Sequence, residues 1–274
     1  MSNPSLQQTD VNPPVSALLR WVTTFESVVV LGVGFGLCFL LSTIAPIWPW
    51  TLTPFNASFL GAVYLTSGIA ASTLAAMPRW SPARVIVPMI LIFTAIVLVV
   101  SLLYIDRFIL NSPSTWLWFA LYIGIPLNSA YHLWLYRRLP PTDTRTLPLW
   151  FRRALLVEFA IFAVYGIALL IAPTTFSAFW PWKIDDFHGR MYCVAFLTPA
   201  IGVYLVSRNG SKAELITAGL TQIVGGVLTL VGFLLVDYVQ KRVDWSAAGT
   251  WVWLAFFPLL VVVGTAMVWQ GWRR

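Results

Sequence analysis

Residues 85–105 have the sequence VIVPMILIFTAIVLVVSLLYI, and no charged residue lies between Arg84 and Asp106. An α-helix needs about 20 predominantly apolar residues to cross a hydrocarbon core about 30 Å thick, so this stretch has the required length. Lipid offers no hydrogen-bond partners to the backbone, and a helix satisfies its own amides and carbonyls. The stretch therefore predicts a membrane-spanning helix.

The rest of the chain repeats this pattern, since 59% of the 274 residues are hydrophobic and only 10% are charged. Soluble domains carry about 25% charged residues. Apolar runs without the alternation of a membrane β-strand predict an all-α polytopic integral membrane protein with about eight transmembrane helices. The predicted spans are roughly 24–44, 58–76, 85–105, 115–136, 154–172, 191–207, 215–237 and 250–270. The lipid bilayer is then the main partner.

The basic residues predict the orientation. The formal net charge is +7, but the Lys and Arg residues are scattered between apolar runs, so no nucleic-acid partner is expected. Of the 17, 12 lie on the side of both termini; the other five are Arg107, Lys183, Arg190, Lys241 and Arg242. The positive-inside rule places both termini in the cytoplasm, as in a multi-pass protein of the cell (inner) membrane. No removable signal peptide is expected, so the first span serves as the insertion signal.

All 15 tryptophans fall near the ends of the predicted spans. One side takes Trp48, Trp50, Trp116, Trp118, Trp180, Trp182, Trp245, Trp251 and Trp253, and the other takes Trp21, Trp80, Trp134, Trp150, Trp269 and Trp272. Amphipathic indoles favour the headgroup level, so two interfacial belts explain the pattern. An aromatic ligand cage is the alternative.

An internal repeat divides the chain. Residues 47–56, IWPWTLTPFN, recur as residues 179–188, FWPWKIDDFH, at an offset of 132, and residues 115–118 recur near an offset of 135 as residues 250–253. Because four spans form an even number, the copies share one orientation. The predicted organisation is a polar tail at 1–19, a four-helix repeat at 20–138, a cytoplasmic linker at 139–151 and a second four-helix repeat at 152–274.

The loop Trp48-Pro49-Trp50-Thr51-Leu52-Thr53-Pro54 resembles that of a family of uncharacterised bacterial polytopic membrane proteins with a W-P-W-x-L-T-P loop between their first two helices. The resemblance implies a bacterial membrane protein and carries over no activity. The second copy departs from the pattern at Lys183, Asp185 and Asp186.

Two pairs of acids occupy equivalent positions in the repeats and are candidate binding or proton sites: Glu26 with Glu158, and Asp106 with Asp237. Acids within a membrane are costly and therefore point to function. The glutamates either snorkel to the interface, pairing with a nearby Arg, or form one symmetric carboxylate pair. The second alternative requires the first helix of each repeat to face the axis between them.

Other polar groups have competing interpretations. Asn128, His132 and Tyr136 share one face of the fourth helix, where His132 either ligates a haem or metal or forms a helix contact. Asp185, Asp186 and His188 are weak candidates for a metal site. Alternatively, Asp185 or Asp186 caps the sixth helix.

No Walker A, H-E-x-x-H, G-x-S-x-G or C-x-x-C motif occurs, so neither an enzyme nor a cofactor is expected. The first hypothesis is a protein that binds or transports a small molecule, ion or lipid between two pseudo-symmetric halves. The alternative is a non-catalytic accessory or scaffold subunit with an unidentified protein partner. A membrane enzyme or haem protein using His132 or His188 has the least support.

Overall fold

The computed structural model describes residues 12–143 and 145–274, which form eight long helices joined by short connections. The helices are α1 (Ala17–Phe39), α2 (Pro54–Ala76), α3 (Trp80–Leu103), α4 (Pro113–Tyr136), α5 (Leu149–Ile171), α6 (Asp186–Asn209), α7 (Lys212–Gln240) and α8 (Ala248–Trp272). A break at Cys193 interrupts α6. The described residues contain no β-strand.

Seven helices, all except α4, are long and apolar enough to cross a membrane. The 24 residues of α4 rise about 36 Å at ~1.5 Å per residue, but Asn128 and His132 make this helix more polar. The expectation of an all-α, multi-pass membrane protein is therefore confirmed. The eighth span stays a prediction.

The first helix begins earlier than predicted, at Ala17, because Ser16 caps it by accepting a hydrogen bond from the Leu19 amide. Residues 1–11 of the predicted tail lie outside the described residues. The segment before α1 packs against the start of α3, where the Val15 amide donates to the Pro78 carbonyl and the Trp80 amide to the Pro13 carbonyl.

Equivalent residues cap the second helix of each half. Thr53 accepts a hydrogen bond from the Asn56 amide, and Asp185, 132 residues later, accepts one from the His188 amide. Such side chains satisfy amides that have no partner within the helix. The interpretation of Asp185 as a helix cap is therefore confirmed.

The main helix contacts occur in matching pairs. Helix α1 packs on α2 as α5 packs on α6, and α3 packs on α4 as α7 packs on α8. The halves interlock, because α2 also packs on α7 and α6 also packs on α3. Helices α2, α3, α6 and α7 thus occupy the centre, with α1, α4, α5 and α8 outside them.

The tryptophans divide into two groups. Trp48, Trp50, Trp80, Trp118, Trp180 and Trp253 are buried, whereas Trp21, Trp116, Trp134, Trp150, Trp245, Trp251, Trp269 and Trp272 are exposed, as interfacial belts require, and Trp182 is half-buried. For the buried group the belt interpretation is wrong, because these rings pack inside the protein. The centroids of Trp50 and Trp118 are 4.9 Å apart, and those of Trp180 and Trp253 are 5.7 Å apart.

Candidate functional site

A cavity of about 240 Å³ lies among the four helices of the first half. Its walls come from α1 to α4, from residues 44–49 after α1, and from Thr198 of α6. Most of the lining is apolar, including Val30, Phe93 and Leu121. An apolar cavity of about 150 Å³ already holds benzene, so this one has room for a larger molecule.

Three buried polar atoms on the cavity wall have no hydrogen-bond partner: Glu26 Oε2, Trp48 Nε1 and Thr198 Oγ1. Glu26 is 7% exposed and Trp48 is 6% exposed. Buried polar groups in folded proteins nearly always have partners, because leaving one unsatisfied costs about 1–3 kcal/mol. Three of the eight unpartnered buried atoms found in the described residues thus belong to residues that line this cavity.

The same wall carries a pair of tyrosines. The hydroxyls of Tyr64 on α2 and Tyr122 on α4 are 2.8 Å apart and form a buried hydrogen bond. One hydrogen bond leaves the pair with an O–H that can still donate and lone pairs that can still accept. The tyrosines therefore add hydrogen-bonding capacity to an otherwise apolar lining.

The cavity opens through an apolar rim between α1 and α4. The lining residues Phe25, Ile47 and Leu117 are 55%, 58% and 59% exposed at the outer surface of the helix bundle. Beyond the rim, Ser16 at the start of α1 is joined to α4 through His132 and Tyr136. The mouth therefore faces sideways, where a bilayer surrounds a membrane protein.

A second, smaller cavity of about 100 Å³ lies between the halves, with walls from α2 and α3 of the first half and from α5 to α8 of the second. Phe162, Phe196 and Phe257 line it, and they correspond to Val30, Tyr64 and Tyr122 at offsets of 132 and 135. Phe162 is larger than Val30, and Phe196 and Phe257 lack the hydroxyls of Tyr64 and Tyr122. The two cavities meet at the centre, where Ser67, Ala70, Met89, Phe93 and Thr198 line both.

The two glutamates lie in different environments. Glu158 Oε1 accepts a hydrogen bond of 2.7 Å from Gln222 Nε2, whereas Glu26 lines the first cavity. Helices α1 and α5 pack on α2 and α6 of their own halves, and no substantial contact joins α1 to α5 in the described chain. The geometry that one symmetric carboxylate pair requires is therefore absent. The first cavity lies mainly within the first half, and the smaller second cavity lies between the halves, where a site was expected.

The aspartates of the other pair lie outside the cavity. The Asp106 side chain is 76% exposed, 3.9 Å from Arg107. Asp237 accepts hydrogen bonds from the amides of Arg242 and Val243 and from Trp245 Nε1, which ties the chain after α7 to the end of that helix. The two residues thus have unlike surroundings despite their matching positions.

His132 joins α4 to the start of α1. Its Nε2 lies 2.6 Å from Ser16 Oγ, and its Nδ1 lies 2.8 Å from the Asn128 carbonyl oxygen. Tyr136 Oη accepts a hydrogen bond from the Ser16 amide. The helix contact foreseen as one alternative for this polar face is therefore present.

The start of α6 joins the two halves. His188 Nδ1 lies 2.7 Å from Asp185 Oδ1, and Trp50 Nε1 of the first half donates to His188 Nε2. The hydrogen bond from His188 lowers the pKa of Asp185 to about 2. Asp186 lies 3.8 Å from Arg190, and no group of three or more His, Cys, Asp or Glu residues suited to a metal occurs in the described chain.

Sequence reasoning missed a buried ion pair at the other end of the central helices. Arg84 Nε and Nη2 of α3 each donate a 2.7 Å hydrogen bond to Glu214 of α7, and Ser81 Oγ lies 2.6 Å from Ser211 Oγ. From the sequence, Arg84 is counted only among the basic residues that predict the orientation of the chain in the membrane. The capping box Ser211-x-x-Glu214 is readable there, but it gives no indication of the partner across the interface.

No protein-family model matches this chain, and no curated protein or solved structure matches it significantly. The class of protein is therefore defined by the fold and cavity: an all-α, multi-pass membrane protein with an apolar internal cavity.

Proposed function

We propose that this protein binds a small amphipathic molecule, taken from the lipid phase, in the cavity of its first half. The observation that carries the proposal is that three residues lining one apolar cavity, Glu26, Trp48 and Thr198, each carry a buried polar atom without a hydrogen-bond partner. The exposed rim at Phe25, Ile47 and Leu117 supports entry from the bilayer. A scaffold subunit has no need for unsatisfied polar atoms around a void.

The proposed architecture is eight spans in two parallel four-helix repeats with both termini in the cytoplasm. Reciprocal contacts support a duplication: Trp50 donates to His188, and Trp182 donates to Asn56, the residue equivalent to His188. The resemblance of the Trp48 loop supports a location in a bacterial inner membrane. The asymmetry of basic residues supports the orientation.

Reporter fusions test this orientation. Fusions after Arg138 and at the C-terminus should both report the cytoplasm, and one near Asp185 should report the opposite side, because an even number of spans separates the first two. A fusion at the C-terminus that reports the outside would contradict the parallel repeats.

Photoaffinity labelling tests the binding function. Phenylbutyl probes that carry a diazirine and either a hydroxyl or an amine are added to the protein in nanodiscs, and labelled peptides are identified by mass spectrometry. We expect label from at least one probe to concentrate in residues 25–33 and 117–125, which line the cavity, and excess unlabelled compound to remove it. Label from both probes spread evenly over the exposed helix faces would overturn the proposal.

A further inference from the structure

The carboxyl group of Glu26 has no cation beside it. None of the described residues that line the cavity is Lys, Arg or His, and Glu26 Oε2 has no hydrogen-bond partner. An isolated carboxyl group in apolar surroundings stays neutral, because ionising it without an opposite charge costs several kcal/mol, and a cation beside it favours the ionised form. A bound ligand can provide that charge.

Aromatic rings surround the same space. Phe25, Trp48, Tyr64, Phe93, Trp118 and Tyr122 all line the cavity. The faces of such rings attract organic cations, and cages of this kind recognise ammonium groups in proteins. A metal ion fits poorly, since Ca²⁺ takes 6–8 oxygen ligands and Mg²⁺ keeps most of its waters, whereas the wall offers one carboxyl group.

From these observations we infer that the ligand of the first cavity is a lipophilic ammonium ion, whose charged nitrogen pairs with Glu26 and whose apolar body lies against the aromatic wall. This inference rests on the proposed function and names the chemical class of its ligand. Lipophilic amines partition into membranes, so the sideways mouth of the cavity matches their route of approach.

The second half provides an internal comparison. Glu158 accepts a hydrogen bond from Gln222, and phenylalanines stand in place of Tyr64 and Tyr122. The first half has the apolar Leu91 near the position of Gln222. Glu158 Oε2 has no partner, as Glu26 Oε2 has none, so the second carboxyl group receives one hydrogen bond from the described residues and the first receives none.

The test compares three compounds of nearly equal size and shape: phenylbutylamine, phenylbutanol and pentylbenzene. Each is titrated into the detergent-purified full-length protein by isothermal titration calorimetry, with empty micelles as the blank. The wild type should bind the amine at least about tenfold more tightly than the alcohol, which is the effect of one charge-assisted hydrogen bond. Glu26→Gln should reduce the ratio of the two affinities to about one by weakening binding of the amine, and Glu158→Gln, the matched control, should keep the preference.

The outcomes separate this inference from the proposed function. Equal saturable binding of the amine and the alcohol by the wild type would overturn the ammonium inference and leave the binding site intact. An amine preference that survives Glu26→Gln would also overturn it. If none of the three compounds binds saturably to the wild type, the proposed function itself is contradicted. The comparison within the wild type needs no variant, so a folding defect cannot obscure it.

Discussion

Replacing Glu214 by Gln is expected to lower the free energy of unfolding by about 3–5 kcal/mol, the usual effect of removing one partner of a buried ion pair. Glu214 is fully buried, and the Arg84 side chain is 12% exposed. The variant leaves the guanidinium of Arg84 without its counter-ion at the contact between α3 and α7. It also weakens the capping box at the start of α7. Unfolding in SDS, followed by circular dichroism, measures the change.

Two further variants make this prediction specific. Asp106→Asn is the control, because Asp106 and Arg107 are exposed and 3.9 Å apart, and exposed pairs contribute about 0–1 kcal/mol. Adding Arg84→Met to Glu214→Gln should recover part of the loss, since no unpaired charge then remains. A loss below about 1 kcal/mol for Glu214→Gln would contradict the role of this ion pair in joining the halves.

The membrane class and most helix positions could be predicted from the sequence, because an uncharged apolar run as long as residues 85–105 is typical of a membrane-spanning helix. The boundaries were less predictable. Helix α1 begins at Ala17 because Ser16 caps it, whereas hydropathy alone predicts a start near residue 24. Capping depends on one side chain, to which an average over many residues is insensitive.

The buried tryptophans show where sequence reasoning reaches its limit. The preference of indoles for the interface does not distinguish a ring that faces lipid, such as Trp116, from one that packs on protein, such as Trp118, two residues later. The similar segments around Trp50 and Trp182 could have indicated that these tryptophans pack on protein. In the structure each donates a hydrogen bond to the other half of the chain.

The cavity could not be predicted, because it depends on individual side chains that differ between the first and second halves of the chain. Aligning the two halves of the sequence highlights residues that they share, such as Glu26 and Glu158, and not residues that differ. The exchange of Val30 for Phe162 adds bulk to the second half, and the exchange of Tyr64 for Phe196 removes a hydroxyl from it. The effect of these exchanges on the cavity volume can be judged only once the positions of the surrounding helices are known.

The central claim is that the cavity of the first half is a binding site. Exchanging residues between the two halves changes the volume of that cavity and so tests the claim directly. Val30→Phe and Leu121→Phe each copy the aromatic residue of the second half, Phe162 and Phe256 respectively, into the first cavity. Phe162→Val makes the reverse change in the second half and is the matched control. All three variants are first checked for folding by size-exclusion chromatography and thermal unfolding.

The deciding measurement is the dissociation constant of phenylbutylamine for these proteins, determined by isothermal titration calorimetry. Val30→Phe and Leu121→Phe should each weaken binding by at least about tenfold, because forcing a larger side chain into a filled site costs about 1–3 kcal/mol, and Phe162→Val should bind like the wild type. Binding that is unchanged in both first-half variants, or lost only in Phe162→Val, would contradict the assignment of the ligand site to the first cavity.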